Sequence, residues 1–238
     1  MTNERSWREV PAAALALLVA SLLMQFAWHA SQPRPQAAAA TLTVPPSVNM
    51  LNVASLGEPI TLARLLMLWL QAFDNQPGIS IPFRELDYGL VTQWLEHILR
   101  LDPRGQYPLL AAARLYGEVP VPGKQRQMLE FVYEQFLLDP DRRWPWLAHA
   151  VFVAKHLIKD QPLALKYAEA LANDAPAAPD WARQMRIFVL EDMGELEDAK
   201  ILLGGLLDSG QIKDPAEVKF LSQRLKELKQ RTESSPQH

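Results

Sequence analysis

Four acidic signals for the end of a helix recur along the chain at nearly constant spacing. Asp102, Asp139, Asp174 and Asp208 are 37, 35 and 34 residues apart, and proline directly follows the first two. Proline stops a helix because it lacks the N–H for the next backbone bond and its ring crowds the preceding turn. Self-similarity at this period is typical of repeated helix pairs. The sequence therefore predicts an all-α fold.

The segments between these signals have helical periodicity. In the first of them, apolar side chains recur at intervals of three and four residues from Leu62 to Phe73. We predict four helix pairs, namely 59–74 with 87–101, 105–118 with 122–138, 144–159 with 160–173, and 178–193 with 195–208. A capping helix is predicted over 211–231. Asp214 serves as its N-cap and Pro215 occupies its first helical position.

Two further positions strengthen a family resemblance. Ala164 stands twelve residues before Pro176, and Gly194 precedes Ala199 by five. With the period and the Leu-Asp-Pro helix ends, these residues resemble tetratricopeptide repeats (TPR) over about residues 59–210. The resemblance implies a TPR-like α-solenoid, in which small residues allow the paired helices to cross closely. It also implies a concave groove that binds proteins or peptides rather than a catalytic centre.

A long stretch near the N-terminus carries no charge. From Val10 to Pro33 every residue is uncharged, and about 20 apolar residues suffice to cross a bilayer. We predict one transmembrane helix over 11–29, with Trp7 and Trp28 at the two membrane interfaces, where indole rings are favoured. A cleaved signal peptide is the alternative. The apolar run exceeds the usual 7–15 residues of such peptides, however, and no small-x-small cleavage pattern follows it closely.

Flanking charges orient the predicted span. Arg5 and Arg8 precede it and Arg34 follows, which favours a cytoplasmic N-terminus and a periplasmic or other extracytoplasmic C-terminal domain, in a bacterial envelope. The remaining boundaries are an N-terminal tail over 1–10, a Pro/Ala-rich linker over 30–48, a repeat domain over 49–210 and a disordered tail over 232–238. Ala16 and Ala20 form a small-xxx-small pair that would let two spans associate.

Composition argues against several kinds of chemistry. The chain has no cysteine and a net charge of −3, which excludes thiolate sites and gives no basis for binding nucleic acid. Common catalytic and phosphate-binding motifs are absent, so we predict no enzyme activity, no cofactor and no metal. Asp87 is interpreted as a helix N-cap, and the pair Glu191 and Asp192 as solvated charges. His149 and His156 lie two helical turns apart, too far to share one metal.

Two segments are candidates for protein binding. The loop between the first two repeat helices is unusually long and contains Ile79, Ile81 and Phe83. It either covers the end of the solenoid or binds a partner. The second segment contains Arg142, Arg143, Trp144 and Trp146. Arginine and tryptophan anchor many protein interfaces, although both indoles have the alternative of packing inside.

These features lead to one functional hypothesis. We expect a single-pass membrane protein whose repeat domain is a scaffold or adaptor for another protein of the membrane or envelope. The alternatives are a subunit of a membrane enzyme complex and a structural module that self-associates into a homo-oligomer. Convergent polar groups in a deep pocket would favour the enzyme.

Overall fold

A computed structural model describes residues 11–31, 39–76, 78–210 and 212–234, and in these ranges the chain is predominantly helical. The prediction of an all-α fold is therefore confirmed. The chain divides into two units, of which the first contains helix α1 and the second, the helical unit, contains α2 to α12. The predicted tails and Trp7 lie wholly or partly outside the described ranges, as does the middle of the predicted linker.

Helix α1 spans Ala12–Ser31 and contains no charged residue. All of its side chains are exposed, and it is long and apolar enough to span a membrane. Its 20 residues correspond to a length of about 30 Å, which matches the hydrocarbon core of a bilayer. Trp28 lies near its C-terminal end and is 69% exposed. The helix begins one residue later and ends two residues later than predicted.

The helical unit contains α2 to α12 in chain order. Their bounds are α2 Val48–Ala54, α3 Pro59–Ala72, α4 Tyr88–Leu101, α5 Tyr107–Leu110, α6 Pro122–Leu138, α7 Pro140–Phe152, α8 Gln161–Asp174, α9 Asp180–Arg183, α10 Met185–Met193, α11 Leu196–Asp208 and α12 Pro215–Ser234. A wider π turn extends α5 over Ala111–Tyr116, and another extends α7 over Val153–Ile158. A short hairpin, β1 Asn75–Gln76 and β2 Ile79–Ser80, and a 3-10 turn over Phe83–Glu85 connect α3 to α4.

Local sequence signals set several of these boundaries. The side chain of Asp87 accepts hydrogen bonds from the backbone N–H groups of Gly89 and Leu90 at the start of α4, as predicted. Asp214 caps α12 in the same way. Helix α10 ends at Gly194, whose φ of +86° is in the left-handed region where a side chain is unfavourable.

The core lies where consecutive helices meet. Helix α3 packs on α4, α6 on α7, α7 on α8, α8 on α10, and α11 on α12. The small residues Ala164 and Ala199 are fully buried, as close helix crossing requires. One group of buried side chains extends from Leu42 to Val189, and a second joins α10, α11 and α12.

The predicted linker is partly incorporated into the helical unit. Thr43 accepts a hydrogen bond at its backbone oxygen from the indole N–H of Trp94, at 2.8 Å. The Nδ1 atom of His97 lies 2.9 Å from the backbone oxygen of Pro46, and Leu42 is buried. Thr43 and Pro46 therefore contact α4 instead of belonging to a free tether. The short helix α2 that follows was also not predicted.

The C-terminal end differs from the prediction in two respects. Glu191 was interpreted as a solvated charge, but its side chain is only 3% exposed. It accepts hydrogen bonds from Arg224, at 3.0 and 2.5 Å, and from Arg231, at 2.5 Å, both on α12. The interpretation of Glu191 was therefore wrong, whereas Asp192 is exposed and pairs with Lys155. Helix α12 also continues to Ser234, into the predicted tail.

Candidate functional site

The first predicted binding segment is the connection between α3 and α4. Ile79 is half-buried in β2. Ile81 and Phe83 pack against the core, and the ring of Phe83 meets that of Tyr116 edge-on, with 5.6 Å between ring centroids. The ammonium group of Lys124 donates to the backbone oxygens of Arg84 and Leu86, at 2.5 and 2.7 Å. These contacts pack the loop on the helical core, and its role in binding a partner stays a prediction.

The second predicted segment opens α7. Arg142 is exposed and pairs with Asp139 at 2.7 Å. Arg143, in contrast, is only 5% exposed. Its guanidinium donates to the backbone and side-chain oxygens of Gln135, at 2.6 and 3.1 Å, and to the backbone oxygen of Pro103, at 3.2 Å. Burial lowers the pKa of Arg143 from its ordinary value. The side chain thus joins two helix ends inside the fold rather than facing a partner.

Both tryptophans of this segment are half-buried. The indole N–H of Trp146 donates to the side-chain oxygen of Gln106 at 2.6 Å. Trp144 packs edge-on against Trp181, with ring centroids 5.6 Å apart. Trp181, which is 55% exposed, was not among the predicted residues. Its distance of 37 residues from Trp144 is close to the repeat period and was the signal available in the sequence.

A cleft with a volume of about 430 Å³ lies between α3, the end of α4 and the start of α5. Most of its lining side chains are apolar, and a few are polar or charged. The lining residues are Ala63, Met67, Leu68, Ile98, Tyr107 and Pro108, with Arg64, Asp102 and Gln106 supplying the polar groups. The cleft cannot be recognised in the sequence, because its lining comes from separate elements that only the fold brings together.

Local geometry fixes the walls of the cleft. The side-chain N–H of Gln71 donates to the hydroxyl of Tyr107 at 2.6 Å, which joins α3 to α5. The connection from α4 turns tightly at Gly105, where a Cβ atom would lie 3.1 Å from the backbone oxygen of Asp102. This contact is closer than a side chain normally tolerates, so glycine allows the loop to pass near the helix end.

Two opposite charges line the cleft without a protein partner. Neither the guanidinium of Arg64 nor the carboxylate of Asp102 forms a hydrogen bond or ion pair with another residue in the described ranges. An apolar lining beside free groups of both signs can accept an apolar side chain and orient the polar backbone or charges next to it.

Apart from the cleft, a strip of ring-bearing side chains lies along α7 and its π turn. Phe152, which is 46% exposed, stacks on His149 and packs against His156, with ring centroids 5.9 and 4.9 Å away. The Nε2 atom of His149 lies 2.9 Å from a carboxylate oxygen of Glu118. The two histidines thus flank an aromatic ring. In the described part of the chain, no group of three or more potential ligands is arranged to hold a metal.

Comparison with known proteins gives no relative from which a role for the cleft or the strip can be transferred. No protein-family model, no curated protein and no solved structure matches this chain.

Proposed function

We propose that this protein is a membrane-anchored adaptor whose helical unit is a TPR-like α-solenoid that binds a segment of another protein. The observation that carries the proposal is the cleft between α3 and α5, with its mostly apolar lining and the unpaired charges of Arg64 and Asp102. One apolar side chain of the bound segment enters the cleft. Charged or backbone groups beside it pair with Arg64 and Asp102, so the contact is selective as well as apolar.

Side-chain contacts at one repeat period support the solenoid. The hydrogen bonds from Gln71 to Tyr107, from Lys166 to Glu130, and from the backbone of Ala177 to Asp141 each join residues 36 positions apart. Regular contacts between corresponding parts of adjacent helix pairs are what stacked repeats produce. The buried small residues at the predicted helix crossings are consistent with the same arrangement.

The apolar helix α1 supports the anchor. It is uncharged over 20 residues, and all its side chains are exposed. A bilayer would supply the apolar surroundings that these side chains favour. In the proposal, the N-terminus is cytoplasmic and the helical unit faces the extracytoplasmic side of a bacterial envelope. The reason is the positive charge beside α1, since Arg5 and Arg8 precede the helix and only Arg34 follows it closely. The adaptor then holds its partner close to the bilayer.

A photo-crosslinking amino acid placed at Leu68 in the full chain tests the proposal in cells. Leu68 lines the cleft and is 61% exposed, so the substitution does not disturb the core. The crosslinked protein is identified, purified and used for binding measurements with the full chain in detergent. We expect Leu68→Asp to weaken binding by tenfold or more, because it puts a desolvated carboxylate against the apolar segment of the partner.

Ile201→Asp is the matched control, since Ile201 on α11 is 66% exposed and lies outside the cleft. It should leave the affinity unchanged. Equal losses from both variants, or no crosslinked partner at Leu68, would reject the cleft as the binding site. If the crosslink joins two copies of this chain, the self-associating module replaces the adaptor.

A further inference from the structure

Leu56 and Val53, the two most exposed large apolar side chains of the helical unit in the described residues, lie at the bend between α2 and α3. We call this bend, from Val48 to Ile60, the elbow. Met50 is 64% exposed, Val53 78%, Leu56 91% and Ile60 47%. Water-exposed apolar groups in one contiguous segment indicate a surface that contacts another apolar phase or molecule. None of these four side chains lines the cleft of the proposed binding site.

The backbone presents Leu56 at the tip of the elbow. Helices α2 and α3 meet at an angle of 109°. Leu56 itself has a φ of +51°, in the left-handed region that a bulky side chain rarely adopts, and Gly57 follows with a φ of +91°. A hydrogen bond from the backbone N–H of Glu58 to the backbone oxygen of Ser55, 2.9 Å long, closes the turn. The fold thus keeps an apolar side chain pointing outward against its usual backbone preference.

Charge is scarce around the elbow. Between Arg34 and Arg64 the only charged residue is Glu58. A segment that enters a lipid headgroup region must lose water from its side chains and backbone, and few charges keep that loss small. The backbone polar groups of α2 and α3 are largely bonded within the helices, which lowers the remaining cost.

The chain length places the elbow within reach of a bilayer crossed by α1. Eight residues separate Ser31, at the end of α1, from Ala40, where the helical unit begins. A fully extended chain of this length spans about 30 Å at most. Ala40 is held in the helical unit by hydrogen bonds with the side chain of Gln76, at 2.7 and 3.0 Å. The connection therefore sets an upper limit on the distance between Ala40 and the end of α1.

We propose that the elbow inserts into the lipid headgroup region of the bilayer that α1 crosses. The proposal rests on the membrane anchor of the proposed function. Interfacial segments typically sink about 5–10 Å, which accommodates Leu56 and Val53 while α3 beyond Ile60 remains outside. A second copy of the chain is a weaker occupant, because stable protein interfaces use roughly 20–30 residues a side, whereas the elbow is a narrow projection.

Insertion gives the helical unit a second attachment to the membrane. Without it, α1 would be the sole attachment of the chain to the bilayer in this proposal. With the elbow also in the interface, the orientation of α3 relative to the bilayer is fixed. The cleft on α3 would then face a defined direction, which limits the partners to those whose binding segment lies at the matching height above the membrane.

The native sequence has no cysteine, so single cysteines can be introduced for site-specific labelling. We would place an environment-sensitive fluorophore at Leu56→Cys in the full chain, reconstituted in lipid nanodiscs, and add lipids that carry a quencher in the headgroup region or upper acyl chain. Leu18→Cys on α1 reports the anchor, and Ile201→Cys is the exposed control. Circular dichroism verifies that each labelled chain keeps its helix content.

We expect strong quenching at Leu18→Cys and Leu56→Cys and none above background at Ile201→Cys. Quenching at Leu18→Cys without quenching at Leu56→Cys would overturn the insertion and leave the anchor intact. Absence of quenching at both positions would reject the anchor as well. A Leu56→Cys probe that is shielded from water but insensitive to quencher lipids would show a protein contact, such as a second copy, and would also overturn the proposal.

Discussion

The docking of α12 should depend more on its two arginines than on the carboxylate they bind. Glu191 is nearly inaccessible, at 3% side-chain exposure, whereas the side chains of Arg224 and Arg231 are 36% and 52% exposed. If Arg224 and Arg231 are both changed to methionine, a buried carboxylate loses its cations. Removing one side of a buried pair typically costs about 3–5 kcal/mol of unfolding free energy. If Glu191 is changed to leucine, Arg224 still pairs with Glu227, and no charge is left buried.

This loss of unfolding free energy can be compared with the stability that α12 gains from its buried apolar side chains. Leu221 and Leu228 are each about 1% exposed, and burial of such a side chain contributes about 1.5–3 kcal/mol. Their combined contribution, about 3–6 kcal/mol, is close to the expected loss in the arginine variant. We therefore expect α12 to detach in that variant. The Glu191→Leu chain should lose about 1 kcal/mol or less, since replacing a buried ion pair with an apolar group is often neutral.

Hydrogen exchange of the backbone amides in α12, with limited proteolysis after Lys213, measures this detachment. The arginine variant should exchange α12 rapidly while α3 to α8 keep their protection. The exposed pair Arg100 and Glu96 provides the control, because Glu96→Gln should change stability by at most about 0.5 kcal/mol. Equal loss of protection in Glu191→Leu and in the arginine variant would refute the reasoning that the buried carboxylate is the costly group.

Three further predictions concern the core and its polar contacts. Arg143→Met should lower the free energy of unfolding in urea by about 2–4 kcal/mol, because it leaves three acceptors without their donor, two of them in buried hydrogen bonds. A loss below about 1 kcal/mol would contradict the internal role of Arg143. Phe83→Ala should lower the free energy of unfolding by about 1–2 kcal/mol if the loop packs on the core through this ring. Phe220 is exposed, so Phe220→Ala should lower it by less than about 0.5 kcal/mol in the same urea assay. Burial raises the pKa of Tyr88 to about 12, above its unfolded value of 10.0. The stability that depends on the neutral phenol of Tyr88 is therefore complete below pH 10 and is lost as pH rises towards 12. Tyr88→Phe should therefore reduce the fall in stability between pH 9 and pH 12 by up to about 2–3 kcal/mol, and an unchanged fall would refute the assignment.

Local signals predicted the helices well because each acts on its own neighbourhood. Asp87 and Asp214 sit directly before the helices that they cap, and Gly194 takes the backbone conformation that ends α10. These interactions span two to five residues, so their pattern is visible in the sequence. The fixed spacing of the helix ends added the order of the pairs.

Burial of charged side chains could not be predicted in the same way. Arg143 reaches the backbone of Pro103, 40 residues earlier, and Glu191 meets Arg224, 33 residues later. From residue type alone, Arg143 was expected at a protein interface and Glu191 at a solvated surface. Both are buried because of the way separate helices pack. The cleft escaped prediction for the same reason, since three separate elements form its walls.

The two π turns lie in the two longest intervals between the aspartates that mark helix ends. A π turn holds one more residue than an α turn while the helix axis continues. The turn in α5 lies in the 37-residue interval from Asp102 to Asp139, and the turn in α7 in the 35-residue interval from Asp139 to Asp174. In the proposed solenoid, each π turn would take up one residue of the excess over 34 within the helix. The first of these turns ends at Gly117, where a Cβ atom would lie 2.7 Å from the backbone oxygen of Ala113. Deletion of one residue from Ala111–Tyr116 should therefore allow residues other than glycine at this position.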